Sequence, residues 1–211
     1  MDNPAISLAQ RFRGYLPVIV DIETAGFNPK KNALLEIAAV IVEINSHNQL
    51  EITERYTTHV VPFKNSELDP AALKFNGIDP HHPFRMAIEE KEALELLFKP
   101  IKAAVKRNEC TRAILVGHNP AFDIGFLNAA IHRTQIKRSP FHPFSTFDTA
   151  TLGGLAYRQT VLAKIAHAAG LDWDNAKAHS ALYDAEKTAE LFCKIINRWH
   201  YFEAKEIQLN E

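Results

Sequence analysis

Three apolar segments rich in β-branched residues follow one another near the start of the chain, separated by short polar stretches. They span residues 17–22, 34–44 and 51–61, and Ser46–Gln49 forms a polar turn between the last two. Short runs of this composition, bounded by turn residues, are typical of strands. Their close succession predicts a three-stranded antiparallel meander.

From Asp69 onward, helical and strand patterns alternate. Residues 69–77 predict a short helix with an Asp N-cap, a Pro in the first turn and a Gly at its end. The expected elements after it are a helix over 85–108 broken near Pro100, a strand over 113–116, a helix over 121–132, a loop over 139–145 and helices over 159–169 and 180–199. The pattern predicts an α/β fold, a mixed β-sheet flanked by α-helices. We expect a single domain over residues 1–211, with about the first ten residues disordered.

Charge and composition exclude several classes of protein. The chain has 24 Lys plus Arg against 25 Asp plus Glu, so it is not a uniformly basic nucleic-acid binder, although a local basic patch remains compatible with it. Two cysteines are too few for a disulfide framework, which favours a cytoplasmic location. No apolar run reaches the ~18 residues of a membrane span, and no secretory signal is evident. We therefore expect no membrane association.

The first chemically informative feature is the pair Asp21 and Glu23 at the end of the first strand. Residues two apart on a strand point to the same face, so the two carboxylates lie side by side. At an effective dielectric constant of ~20, like charges ~4 Å apart repel by about 4 kcal/mol. A divalent cation would reverse that repulsion. An isolated pair of this kind is, however, more often a solvated strand end.

Two further acids and a histidine strengthen the metal-site hypothesis. Asp123 follows the fourth strand, where it reaches the same edge of the sheet if that strand lies beside the first. His179 and Asp184 are five residues apart, which on one helix would leave them on different faces. We therefore expect His179 on the loop before the helix, Ser180 as its N-cap, and Asp184 in its first turns. A histidine there can collect a proton from water.

The order Asp-x-Glu, Asn-x-x-Phe-Asp, His-x-x-x-x-Asp resembles the three motifs of the DEDD 3′–5′ exonucleases, and the histidine marks their DEDDh branch. The wider sequence resembles bacterial ribonuclease T within that branch, over about residues 11–199. The segments that carry this likeness are residues 11–28, 75–80, 117–123 and 147–153.

This resemblance implies a ribonuclease H-like fold, a homodimer and stepwise removal of nucleotides from single-stranded 3′ ends of RNA. The implied roles are tRNA end turnover and 3′ maturation of tRNA and of 5S and 23S ribosomal RNA, with activity on single-stranded DNA as well. It implies two Mg²⁺ ions, or Mn²⁺ in their place, held by Asp21, Glu23, Asp123 and Asp184, with His179 as the general base and as a further metal contact.

The resemblance also implies that exposed aromatic and basic residues contact the substrate. Phe27, Phe75, Phe122 and Phe144 would stack on the terminal bases and disfavour a 3′-terminal C, although most phenylalanines in any chain belong to the core. Arg11, Arg13, Arg112 and Lys137 would form a patch that grips RNA entering the partner subunit's active site. The chain departs from the family at Ala71, where a Glu that helps to read the terminal base is frequent.

Two alternatives remain open at this point. The acidic motifs alone also fit a DEDDh proofreading exonuclease that acts on DNA. A non-catalytic RNA-binding module of the same fold is the other alternative, although a binder has no need for four acids beside phosphates. No phosphate-binding loop, nucleophile elbow or zinc-protease helix is present in the sequence.

Overall fold

The computed structural model describes the backbone of residues 7–210 and the side chains of residues 7–199. The elements in chain order are α1 (Leu8–Arg11), β1 (Tyr15–Thr24), β2 (Leu34–Ile44), β3 (Leu50–His59), α2 (Pro70–Asn76), α3 (Glu90–Arg107), β4 (Arg112–Gly117), α4 (Ala121–Thr134), β5 (Phe141–Asp148), α5 (Thr149–Tyr157), α6 (Leu162–Ala168) and α7 (Ala181–Asn210). The expectation of disorder at the N-terminus falls mainly on residues 1–6, which lie outside the described residues. Residues 8–11, in contrast, form α1, which Ser7 caps and whose Leu8 is buried.

The five strands form one mixed sheet in the order β3-β2-β1-β4-β5. The first three strands pair antiparallel, which confirms the predicted meander. β4 then pairs parallel with β1, and β5 pairs parallel with β4. This topology brings the carboxyl ends of β1 and β4 to the same edge of the sheet, which is the arrangement that the acidic residues require.

Helices cover the central strands, whose side chains are therefore buried on both faces. The nine residues from Leu34 to Val42 in β2 are all buried. α7 packs on β1, β2 and β3, whereas α3 packs against β2, β4 and α4. Large side chains such as Leu16, Ile37, Phe126 and Phe192 fill the core between these layers. The predicted α/β fold is thereby confirmed.

The structure differs from the sequence prediction in three places. The segment 139–145 is not a loop: β5 begins at Phe141, and its prolines are tolerated because β5 lies at the edge of the sheet, where its pairing with β4 is irregular. The helix over 85–108 begins only at Glu90 and continues through Pro100. The carbonyl that Pro100 leaves unbonded belongs to Leu96, whose exposed side chain lies on the solvent side, so water can replace the missing donor.

The third difference is α5, which the sequence prediction omitted. Asp148 caps this helix by accepting the backbone N–H groups of Ala150 and Thr151. Within residues 7–210, no helix is long and apolar enough to cross a membrane.

Candidate active site

The carboxylates of β1 lie where that strand extends past its neighbour β4. The parallel pairing with β4 ends at Ile19, so the strand residues that follow have a free edge on that side. Asp21 and Glu23 occupy this extension and face Ala38 and Glu36 of β2. Carboxylate oxygens of Asp21, Glu23 and Asp184 lie within 4.8 Å of one another. The alternation along β1 thus places both acids on one face, as predicted.

Asp123 reaches the same edge from the first turn of α4. The chain turns sharply between β4 and α4, with Asn119 at a positive φ of 62°. The Asp123 carboxylate is 4% exposed and accepts the backbone N–H of Ile22, which lies between the two acids of β1. This hydrogen bond fixes α4 against β1 and holds the Asp123 carboxylate near enough to Asp21 to affect its charge.

α7 supplies the last acid, and the loop before it supplies the histidine. The helix begins at Ala181, so His179 precedes it and Asp184 lies in its first turn, as expected from their spacing. The backbone N–H of His179 donates to Asp184 Oδ2 at 3.0 Å. The imidazole ring packs against the ring of Phe75, with centroids 4.3 Å apart. His179 therefore lies over the carboxylates.

The clustering of buried acids shifts their proton affinities strongly. Burial, followed by the charges of Asp123 and Asp184, raises the pKa of Asp21 well above its ordinary value. Burial, assisted by Asp184, raises the pKa of Glu23 to about 8. Burial also raises the pKa of Asp123 to about 7 and raises the pKa of Asp184 above its ordinary value. Ionising all four groups without a counter-charge is therefore costly.

This donor set fits a divalent cation. Oδ1 of Asp184 is buried and has no hydrogen-bond partner among the described residues. Such an oxygen is costly to bury unless a cation or a donor satisfies it. Clustered carboxylate oxygens are the ligands that Mg²⁺ and similar hard cations prefer. Asp21, Glu23 and Asp184 would hold such a cation, and Asp123 lies close enough to Asp21 to raise its pKa.

An aromatic cavity opens directly onto these carboxylates. This first cavity, of about 420 Å³, is lined by Asp21, Glu23, Phe27, Ala71, Phe75, Phe122, His179 and Asp184, among others. Phe27 follows β1 and is 84% exposed, and Phe75 on α2 is 68% exposed. The ring of Phe122 lies 6.1 Å from that of Phe27. Three of the four predicted base-stacking residues are therefore brought together. Phe144 instead lies exposed on β5, outside this lining.

The predicted basic patch lies at the other end of the sheet. Arg112 pairs with Tyr15 at the start of β4 and β1, six residues before Asp21 along β1, or about 20 Å. Arg112 and Lys137 line a separate cavity of about 640 Å³ together with Lys102 and Arg138. Arg13 lies over the ring of Tyr15, and Arg11 donates to the carbonyl of Ile196. The structure brings Arg112 and Lys137 together in one cavity lining, and none of the four predicted cations lines the cavities at the carboxylates.

The sequence analysis missed two polar residues that support the acids. Glu36 is only 7% exposed, lies opposite Glu23 across the β1–β2 pairing, and accepts the backbone N–H of Ala181 at the start of α7. Asn76 hydrogen-bonds the Glu23 side chain and the carbonyl of Thr24. Glu36 left a detectable signal, because a charged residue within an otherwise apolar strand requires an explanation. Asn76 left no comparable signal.

A sheet edge that carries clustered carboxylates beside an aromatic cavity is a candidate site for a divalent cation. The model of one exonuclease family, RNase_T, matches residues 18–192, which is most of the chain. The chain therefore belongs to this exonuclease family, whose members are nucleases. The match also agrees with the resemblance to DEDD exonucleases that the motifs suggested.

Solved structures support the fold. E. coli exonuclease I, solved with a dT13 oligonucleotide, is similar with a TM-score of 0.66 and 18% identity, over 90% of this chain and 43% of its own. Exonuclease I from Methylocaldum szegediense gives a TM-score of 0.65 at 18% identity, over 87% of this chain and 40% of its own. A full-length 3′-exonuclease gives a TM-score of 0.65 at 19% identity, over 86% of this chain and 82% of its own. The chain thus spans less than half of the exonuclease I chains. Its mixed sheet flanked by helices is the ribonuclease H-like exonuclease fold.

Proposed function

We propose that this chain is a metal-dependent 3′–5′ exoribonuclease of the ribonuclease T type, acting as a single domain. Its substrates are the single-stranded 3′ ends of stable RNAs, including those of tRNA and of 5S and 23S ribosomal RNA, and it also degrades single-stranded DNA. The observation that carries the proposal is the first cavity, where the exposed rings of Phe27 and Phe75 meet the carboxylate cluster. Aromatic faces bind unpaired bases without reading their sequence.

Each residue of the site has a role in this proposal. The phenylalanines of the first cavity stack on the terminal base and place the scissile phosphate at the carboxylates. Asp21, Glu23, Asp123 and Asp184 hold Mg²⁺ or Mn²⁺, which when bound supplies Lewis-acid stabilisation of the phosphate oxygens. His179 accepts the proton of the attacking water at a ring nitrogen, and its packing against Phe75 keeps that ring beside the substrate.

A homodimer is part of the same proposal. Arg11, Arg13, Arg112 and Lys137 lie too far from the carboxylates of their own chain to hold the same nucleotides. In a dimer they would guide RNA into the active site of the second copy. Phe144 on β5 would contact the same RNA. The mass of the protein in solution tests the homodimer directly. A measured mass equal to that of one 23.8 kDa chain would contradict it.

The activity test compares three substrates: an RNA with a 3′ overhang, the same RNA closed as a blunt hairpin, and single-stranded DNA. With Mg²⁺ we expect stepwise loss of 3′ nucleotides from the overhang and from the DNA, and none with EDTA. Asp184→Asn should lower turnover at least about 100-fold, because a carboxylate ligand is lost. Asp172→Asn makes the same change at an exposed position of the preceding loop and should leave the rate unchanged.

The outcomes separate the candidate functions. Trimming of DNA without trimming of RNA would favour a proofreading exonuclease. Binding without nucleotide release would favour a non-catalytic module. Comparable Mg²⁺-dependent rates in Asp184→Asn and the unaltered protein would contradict the assignment of Asp184 as a ligand.

A further inference from the structure

A second cavity, of about 440 Å³, meets the first at the carboxylates. The two cavities share Asp21, His179 and Asp184. Beyond these shared residues, the second cavity is walled by the loop between β4 and α4, the start of α6, and the loop of residues 171–179 that precedes α7. The wall residues that matter here are His118, Asn119, Val161, Trp173 and Asn175. The proposed function assigns no role to this cavity.

A nucleic-acid chain bound for cleavage has a nucleotide on each side of the scissile phosphate. The phosphate belongs at the carboxylates, and the exposed phenylalanines of the first cavity suit the terminal nucleotide. The next nucleotide, whose 3′ oxygen is released, then has to leave the carboxylates by another path. We propose that the second cavity is the subsite for the base and sugar of the nucleotide on the 5′ side of the cleaved bond. This inference rests on the proposed function.

The chemistry of the walls suits a base and a sugar rather than a phosphate. No Lys or Arg is among the residues lining this cavity. Both ring nitrogens of His118 are already engaged, with Thr149 Oγ1 at 3.0 Å and with the carbonyl of Thr160 at 2.9 Å. Burial also lowers the pKa of His118, which disfavours its charged form. Contacts in this subsite therefore depend little on salt, in contrast to phosphate contacts.

The walls combine apolar surface with neutral amide groups. The apolar side chain of Val161 is 52% exposed, and the half-buried ring of Trp173 lines the same cavity. The indole N–H of Trp173 donates to Asn175 Oδ1 at 2.9 Å. The side chain of Asn119 is exposed and borders the same space. An apolar wall for a base, flanked by amides that donate and accept hydrogen bonds, is the usual composition of a small-ligand subsite.

The subsite and the general base share one loop. Trp173 contacts the ring of Tyr183 with centroids 5.5 Å apart, and the N–H of Asp174 donates to the Tyr183 hydroxyl at 2.6 Å. Tyr183 directly precedes Asp184 on α7. A nucleotide that fills the second cavity therefore contacts the loop that positions His179.

Kinetics with two substrates test this assignment. One substrate is single-stranded RNA; the other is the 4-nitrophenyl ester of a nucleoside 5′-monophosphate, which has no nucleotide on the 5′ side of the cleaved bond. In Val161→Asp the new charge opposes the incoming strand, so the ratio of kcat/KM for RNA to that for the ester should fall at least about fivefold. Gln159→Asp adds the same charge two residues away, outside the second cavity, and should leave the ratio unchanged.

An unchanged ratio in Val161→Asp, or an equal change in Gln159→Asp, would overturn the subsite. If the unaltered protein hydrolyses neither substrate, that result contradicts the proposed function itself. A fluorescence measurement then still tests whether the second cavity binds the nucleotide on the 5′ side. The chain has two tryptophans, so Trp199→Phe leaves Trp173 as the only tryptophan. With Ca²⁺, a 5′-phosphorylated dinucleotide should change the emission of Trp173 and a 5′-mononucleotide should not. An equal change with both ligands would assign the second cavity to the terminal nucleotide and overturn the inference.

Discussion

Phe27 is so exposed that its ring contributes little to the free energy of folding, yet it lines the first cavity. We expect Phe27→Ala to lower kcat/KM for RNA about 5- to 150-fold, because stacking on a base contributes ~1–3 kcal/mol. The free energy of unfolding should change by no more than about 0.5 kcal/mol, as for other surface substitutions. Phe84→Ala is the matched control, since Phe84 is 81% exposed but lies outside that cavity. Equal losses of activity in both variants would mean that Phe27 has no specific role in binding the substrate.

At the scale of single residues, the sequence predicts what local periodicity determines. Asp21 and Glu23 share a face because strand side chains alternate, and the five-residue spacing placed His179 before α7. The approach of Glu36 to Glu23 instead depends on the register between β1 and β2, which the sequence does not show. The sequence also does not show the position of Trp173 in the second cavity, because that position depends on how its loop folds against Tyr183.

At the scale of elements, the packing of α5 on α6 depends on Gly153. A Cβ atom at this position would lie 2.4 Å from Cδ1 of Ile165, which is fully buried. We expect Gly153→Ala to destabilise the protein by ~1–3 kcal/mol through overpacking. Adding Ile165→Val, which removes that nearest atom, should recover part of the loss.

Gly154→Ala is the control for this pair of helices. Its Cβ would meet only Thr160 Cγ2, at 3.6 Å, so the replacement should be neutral or stabilising by up to about 1 kcal/mol. Urea unfolding of the four proteins measures these differences. If Gly154→Ala lowered the free energy of unfolding as much as Gly153→Ala does, crowding against Ile165 would not explain the loss in Gly153→Ala.

The elements that the sequence failed to predict are those whose local pattern conflicts with their tertiary position. β5 contains Pro143, which local rules exclude from a strand, but an edge position needs fewer backbone donors. α5 contains Gly153 and Gly154, which weaken any helical pattern; close packing on Ile165 explains the first of them. The buried strands β1, β2 and β4 were predictable because their composition and their position agree.

At the scale of the whole molecule, the near-zero net charge conceals two separated fields. Acids gather where β1 and β4 end, and cations gather where these strands begin. The sequence gives only the sum of the charges, whereas their separation follows from the parallel pairing of β1 with β4. Such separation allows one surface to attract phosphates while another holds a cation.

The acidic edge makes the stability of the metal-free protein depend on pH. The pKa values of Glu23 and Asp123, about 8 and about 7, lie above the ordinary carboxyl values near 4, so the folded state binds their protons more tightly than the unfolded state does. Their contribution to stability is fully present below pH ~4 and is lost as the pH rises through about 7 and 8. Between pH 5 and 8 these groups therefore make the metal-free protein progressively less stable.

A cation that binds the ionised carboxylates removes this penalty. In EDTA we expect the melting temperature to fall as the pH rises from 6 to 8, and saturating Mg²⁺ should raise it more at pH 8 than at pH 6. Asp184→Asn should reduce the stabilisation by Mg²⁺ at both pH values, whereas Asp172→Asn should leave it unchanged. Differential scanning calorimetry in matched buffers measures all of these differences. A stabilisation by Mg²⁺ that is equal at the two pH values would mean that the cation binds elsewhere, because only the buried acids have to release protons to receive it.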